Sequence, residues 1–365
     1  MDNAKKVVAR LPFALAGPGG LLTASELATI KYCNEAGSLN FPAYGSIYFT
    51  KTLPSIDHRH QLDKDFYIGP HCGTRYWDCN VGERRYYHNT KPNQGPWTTL
   101  SEYFEGLIAA GFSRIPPVGA ESESEPTYHG SVQSHLRLLE CCRVLLRQMS
   151  ADSRILEASN PLLFHPDLHK RNIFVSDDDP SVASSIEPSF WYADEVPDFA
   201  QCLETGQEIY TQAYDVSSQF LTPKLARPRL LDENLFRPFR YCYLTWKNGA
   251  VALHHEMIEA AQHWKELGLT GPCPYPLPSS EELANHQREY KLFEAAQTLR
   301  SDLAGLLNTA SDGWVPLESW EETKAAHEEL FQGMLQAVLT NKDLEDEPVK
   351  DEATLWSIWP FDINA

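Results

Sequence analysis

Apolar and polar positions follow two different rhythms along this chain, and the change of rhythm divides it. Val7-Val8-Ala9-Arg10-Leu11 is a short apolar run that predicts a strand, closed by Pro12 and the turn-forming Gly17-Pro18-Gly19-Gly20. Thr23-Ala24-Ser25-Glu26 has the form of a capping box, a hydroxyl followed three residues on by a carboxylate. It predicts a helix running to about Ala36-Gly37. Residues 41–97 then lose helical spacing and are rich in Gly, Pro, Tyr, Asn and His, which predicts short strands and ordered loops packed by aromatic rings.

Helical spacing returns at Thr99-x-x-Glu102, a second capping box, with Gly111 as the stop. Residues 116–127, with Glu121, Glu123 and Glu125, predict an exposed loop, after which Ser131 caps a long helix. Val132, Leu136, Leu139, Val144 and Leu145 are expected along one face of it. Residues 161–175 predict strand, loop, strand, followed by a turn at Asp177-Asp178-Asp179-Pro180. Beyond about 200 the spacing is helical over 206–221, 232–264, 280–308 and 317–341, with the proline-rich stretch Pro272 to Pro278 between two of these helices. From Asp343 the chain is acidic and then aromatic, through Trp356, Trp359 and Phe361. The fold class expected from this pattern is α+β with a helical C-terminal majority.

Composition narrows the function classes. The 365 residues are 42% hydrophobic and 22% charged, a globular balance long enough for two lobes. Lys and Arg number 31 against 50 Asp and Glu, a formal charge of -19, and such a surface repels phosphate backbones and anionic lipid. No nucleic-acid partner is expected. Ten acids against three bases between 321 and 352 put -7 of that charge in one stretch. The eight cysteines include no C-x-x-C pair, and Cys141-Cys142 are adjacent, which reads as reduced thiols in an intracellular protein. No apolar run is long enough for a membrane span. Met1-Asp2-Asn3-Ala4-Lys5-Lys6 has neither a signal core nor an Arg-rich transit pattern, so the cytoplasm is the expectation from the N-terminus.

The chemistry concentrates in Leu163-Phe164-His165-Pro166-Asp167-Leu168-His169-Lys170-Arg171-Asn172-Ile173-Phe174-Val175. An apolar strand delivers a His-x-Asp turn, and an Asn five residues after the Asp opens a second apolar strand. Phosphoryl transfer needs a carboxylate to orient or deprotonate the attacking hydroxyl and an oxygen ligand for the magnesium that spans the phosphates. Asp167 and Asn172 have the spacing for those two tasks. The segment resembles the aminoglycoside phosphotransferase and choline kinase-like branch of the protein-kinase fold, whose catalytic loop reads H-x-D-x-x-x-x-N.

Three longer blocks resemble a fungal subgroup of that family, the altered inheritance of mitochondria proteins. They are Gly69-Pro70-His71-Cys72-Gly73-Thr74-Arg75-Tyr76-Trp77, the run from Tyr86 to Trp97, and Glu187-Pro188-Ser189-Phe190-Trp191-Tyr192-Ala193-Asp194. The resemblance implies a protein-kinase-like fold with a truncated N-lobe (1–40), a large mostly helical C-lobe (41–342) and an acidic, aromatic tail (343–365). It implies ATP and Mg²⁺ as cofactors, with Asp167 accepting the hydroxyl proton, Asn172 holding magnesium, His165 bracing the loop, and Arg10 with Glu26 positioning phosphates. It also implies a small-molecule hydroxyl substrate and a mitochondrial location.

The sequence departs from the family pattern in three places. It begins at what resembles the third N-lobe strand, so the glycine-rich phosphate loop does not precede it, and Arg10 stands where kinases carry a lysine. The first helix runs almost directly into Phe41-Pro42-Ala43-Tyr44-Gly45, without the strands and adenine-binding hinge of the family. After Asn172, Ser181-Val182-Ala183-Ser184-Ser185 passes straight to Ile186-Glu187-Pro188 with no counterpart of the D-F-G aspartate. Two functions of different class follow: an ancestral phosphotransferase with impaired turnover, and a catalytically silent pseudokinase that acts by binding a protein partner in mitochondrial maintenance. A third, metal-dependent hydrolysis, rests on His165, Asp167 and His169 lying within five residues, although Pro166 denies them a helical face. Gly17-Pro18-Gly19-Gly20 lacks the spacing of a phosphate cradle and reads as a turn, and His254-His255-Glu256 reads as a partly buried helix face.

Overall fold

A computed structural model describes residues 19–36, 41–51, 58–77, 91–119, 126–164, 185–189, 191, 228, 231–310, 313–341 and 347–361. The architecture is α+β and mostly helical, with two small sheets. In chain order the elements are α1 (Gly19–Ala36), β1 (Ser46–Phe49), β2 (His60–Gln61), β3 (Phe66–Gly69), α2 (Leu100–Phe112), α3 (Val132–Met149), α4 (Ser153–Glu157), β4 (Pro161–Phe164) and β5 (Ser185–Pro188). The helices α5 (Arg237–Tyr241), α6 (Thr245–Asn248), α7 (Ala250–Gln262), α8 (Ser280–Leu306), α9 (Trp320–Thr340) and α10 (Glu352–Ile358) follow. The chain forms two compact units: Met1–Ile115 with Leu139–Tyr243 and His263–Pro274, and Pro116–Leu138 with Leu244–Gln262 and Tyr275–Ala365.

In the first unit β1 and β2 flank β3, all antiparallel, with Ile47 opposite Ile68 and Tyr48 opposite Tyr67. Alternation sends the two sets to opposite faces. Ile47 and Ile68 meet Ala28 and Tyr32 of α1 together with Phe41, Phe66 and Ile186, while Tyr48 and Tyr67 pack with Cys72. The second sheet is the antiparallel ribbon β4–β5, in which Phe164 pairs with Ser185 and Leu162 with Glu187. A two-bond bridge joins the sheets, Gly45 N–H to the Ile186 carbonyl at 3.0 Å and Ile186 N–H to the Gly45 carbonyl at 2.7 Å. Only glycine fits there: a Cβ on Gly45 would lie 2.5 Å from the Gly69 carbonyl oxygen.

Local signals mark most of the observed helix ends. Thr99 and Glu102 close a capping box on α2, and Ser279 with Glu282 does the same for α8. Ser131 Oγ accepts the Ser134 N–H at 3.2 Å and caps α3. The buried stripe of α3 is Val132, His135, Leu139, Cys142, Leu145, Leu146 and Met149, so Val144, expected on that face, points to solvent. The first helix starts at Gly19, which leaves Thr23 and Glu26 inside it and not at its cap. Gly19 and Gly20, expected in a turn, belong to the helix, and the strand predicted at 7–11 lies outside the described residues.

The single helix expected over 232–264 is broken. Pro238 sits at the first turn of α5, where its missing N–H costs no hydrogen bond, and Gly249 at φ 91° ends α6 before α7 begins. In the second unit α8, α9 and α10 share a core of Leu292, Leu299, Leu303, Phe331, Leu355, Ile358 and Trp359. The aromatic tail therefore docks on its own unit: Trp359 Nε1 donates to His327 Nε2 at 2.6 Å, and Phe331 packs between Trp356 and Trp359. Cys72, Cys142 and Cys242 are buried and form no disulfide. Among the described residues no helix is long and apolar enough to cross a membrane.

Candidate functional site

Of the residues singled out from sequence, Arg10, His165, Asp167 and Asn172 lie outside the described residues. Glu26 is described: it is half-buried on α1, close enough to Cys72 for its charge to help raise that thiol's pKa, which burial raises most. The ends of the motif segment are located even so. Phe164 and Ser185, the residues that flank 165–184, are paired partners at one end of the β4–β5 ribbon. Glu187 stands two residues along β5 from that end, about 7 Å at the usual rise of a strand.

Glu187 is fully buried, and its carboxylate is the centre of a polar network in the first unit. Oε1 accepts from His71 Nε2 at 2.7 Å and from Arg75 Nη2 at 2.9 Å. Oε2 accepts from the Tyr103 hydroxyl at 2.6 Å, which in turn accepts from Trp191 Nε1 at 3.0 Å. Burial alone would raise the pKa of this carboxyl; Arg75, then His71 and Tyr103, outweigh it and hold it down at about 2. The same pairing overcomes burial on the other side and raises Arg75 further. Burial and the neighbouring carboxylate keep the Tyr103 phenol well above its ordinary value, so it remains a donor.

Each partner is delivered by a short local device. Beyond β3 the chain turns so that the Gly73 N–H donates to His71 Nδ1 at 2.8 Å. With Nδ1 accepting, the ring proton belongs to Nε2 and is given to Glu187. A 3₁₀ turn over Thr74–Tyr76 then presents Arg75 and Tyr76, and Trp77 Nε1 ties back to the His71 carbonyl at 2.7 Å. Tyr103 comes from the first turn of α2. Trp97, just ahead of that helix, lies tilted at 5.0 Å from Tyr76 and edge-on at 5.3 Å from Tyr103. The Arg75 guanidinium lies within 6 Å of the Tyr76, Trp191 and Tyr243 rings, at 5.8, 5.9 and 5.2 Å.

The three blocks read from sequence thus meet around one carboxylate. His71 and Arg75 come from the first, Trp97 from the second, Glu187 and Trp191 from the third. Sequence spacing had no means of pairing them, since Glu187 is separated by 116 residues from His71 and by 112 from Arg75. As chemistry, the arrangement is an internal clamp. A magnesium ion recruited to Glu187 would have to displace the half-buried Arg75 guanidinium from this fully buried carboxylate, at the cost of weakening that pair. Among the described residues no group of three His, Cys, Asp or Glu is arranged to hold a metal ion.

Comparison with known proteins finds a distant similarity. Over 145 residues the chain is 23% identical to "Altered inheritance of mitochondria protein 9, mitochondrial" of Yarrowia lipolytica, a match covering 37% of this chain and 21% of that protein. The chain therefore spans about a fifth of the relative's length. No protein-family model matches this chain, and no solved structure does.

Proposed function

We propose that this chain is an aminoglycoside phosphotransferase-family protein of kinase-like fold, descended from enzymes that move phosphoryl groups from ATP to small-molecule hydroxyls, and that its own turnover is impaired so that it acts by binding. The observation that carries the proposal is Glu187. It lies near the distance after Asn172 at which the family carries its second magnesium ligand, and it is buried and bound to Arg75, His71 and Tyr103. In the proposal Asp167 and Asn172 keep the first half of the catalytic apparatus while the second half is committed to the fold. The name of the Yarrowia relative places that protein with mitochondria, and a role in mitochondrial maintenance for this chain is part of the proposal.

The test uses purified full chain with ATP and Mg²⁺. Melting temperature is expected to stay where it is, and the chain and its Asp167→Ala variant should show the same background ATP hydrolysis. A dose-dependent rise in melting temperature would show that the chain binds ATP, and turnover that disappears in Asp167→Ala would show an active enzyme. Fractionation of cells expressing the tagged chain checks the mitochondrial part, which fails if the chain stays with the cytosol.

A further inference from the structure

Large apolar side chains exposed on a folded surface are ordinary when scattered and informative when they gather. Among the described residues Leu27, Val118, Val144, Leu156 and Leu277 are scattered, but Trp314, Leu317 and Trp320 fall within seven residues at the connection between α8 and α9, exposed by 65%, 87% and 38%. Leu306, at the end of α8, is also exposed, just ahead of the same connection.

The geometry holds these side chains outward. The Gly313 N–H donates to the Ala310 carbonyl at 2.8 Å and the Ala310 N–H to the Trp314 carbonyl at 2.9 Å, a tight reversal with Gly313 at φ 87°. Pro316 then opens a 3₁₀ turn over Leu317–Ser319 that continues directly into α9 at Trp320. Residues three apart in such a turn stand over one another, so Leu317 and Trp320 share a side. The inner side of this connection is already filled: Phe361 lies against Gly313 and His327, and Trp359 against His327 and Phe331.

Charge selects the occupant. Glu318, Glu321 and Glu322 are exposed among the apolar residues, and from Ser301 to Thr323 the sequence has five acids and no base. A second copy of the chain would bring the same acids to a two-fold contact, and an anionic membrane would meet them with like charge. We infer that the Trp314–Trp320 connection is a docking surface for a cationic amphipathic helix of a partner protein, its apolar stripe on Trp314, Leu317 and Trp320 and its basic flanks on Glu318, Glu321 and Glu322. ATP turnover by this chain would overturn the function proposed above and leave this surface untouched, because the two rest on different units.

The test is binding of a synthetic Leu/Lys amphipathic helical peptide to the full chain by fluorescence anisotropy, beside a scrambled peptide of the same composition. The amphipathic peptide should bind about tenfold more tightly than the scrambled one. Trp314→Ala with Leu317→Ala should remove that advantage at unchanged melting temperature. Glu318→Gln with Glu321→Gln and Glu322→Gln should weaken binding several-fold and flatten its salt dependence. Equal binding of the two peptides, or no loss in the Trp314/Leu317 variant, overturns the inference. So does a dimer in sedimentation, or binding to phosphatidylserine vesicles, that the Trp314/Leu317 variant abolishes.

Discussion

Arg75 and Glu187 make a pair whose two members are not worth the same to remove. Taking away the guanidinium leaves a carboxylate in a fully buried site, whereas the intact pair returns little more than its own desolvation. Arg75→Ala is therefore expected to destabilise the first unit by about 3–5 kcal/mol at neutral pH, read from chemical denaturation. The pH dependence gives the direction. Glu187 is held at about 2 in the folded protein against an ordinary value of 4.5, so its contribution is complete above 4.5 and is lost as pH falls from there to about 2. In Arg75→Ala the carboxylate loses its strongest stabiliser and gains from protonation, so the deficit of the variant should shrink between pH 7 and pH 4. A deficit independent of pH would mean that Arg75 stabilises by packing on Tyr76, Trp191 and Tyr243 and not by its charge.

At the scale of elements, α2 shows how a helix is fixed by what passes it. Gly106 is a poor helix residue, yet a Cβ there would sit 2.7 Å from the Trp97 ring. Gly106→Ala should destabilise by about 1–3 kcal/mol despite the better propensity of alanine, with a change in near-UV circular dichroism as Trp97 shifts. A stabilised variant would show that the ring has room to move. The caps of α2 and α3 were legible in the sequence because Thr99/Glu102 and Ser131 act within one turn. The break at Gly249 was not, because glycine in an apolar helical pattern marks a stop only when its φ becomes positive. Glu187 as a hub was equally hidden. Its partners come from the stretch just after β3, the 3₁₀ turn that follows and α2, and the packing of sheets joined at Gly45 and Ile186 brings them together. Asp167 and Asn172 were the plainest feature of the sequence, and the described structure bears only on the ribbon that flanks their segment.

For the molecule as a whole, charge and histidines shape the response to acid. His135 is fully buried between His129 and Trp246, with burial the main cause that lowers it to about 3; burial likewise takes His286, stacked near His255, to about 4. Both begin at 6.5 when unfolded, so folding is favoured by their neutral forms, and stability is lost as pH falls from about 6.5 towards 3. The loss should amount to a few kcal/mol, on the order set by shifts of this size. Replacing both with Gln should flatten the melting temperature between pH 6.5 and pH 4, and an unchanged slope would place the acid sensitivity elsewhere. The formal -19 adds to this in the opposite sense, since protonating surface carboxylates relieves repulsion first.

The pairing of Phe164 with Ser185 has an evolutionary consequence. The residues that flank 165–184 stand side by side, and each doubling of the length of chain between two such points costs only about 0.6 kcal/mol of closure entropy. A sequence of this kind can gain or lose a strand's worth of residues between 165 and 184 while the ribbon and the Glu187 clamp behind it stay as they are. The segment that carries the plainest motif of the sequence is thus one in which a change of length costs the fold little.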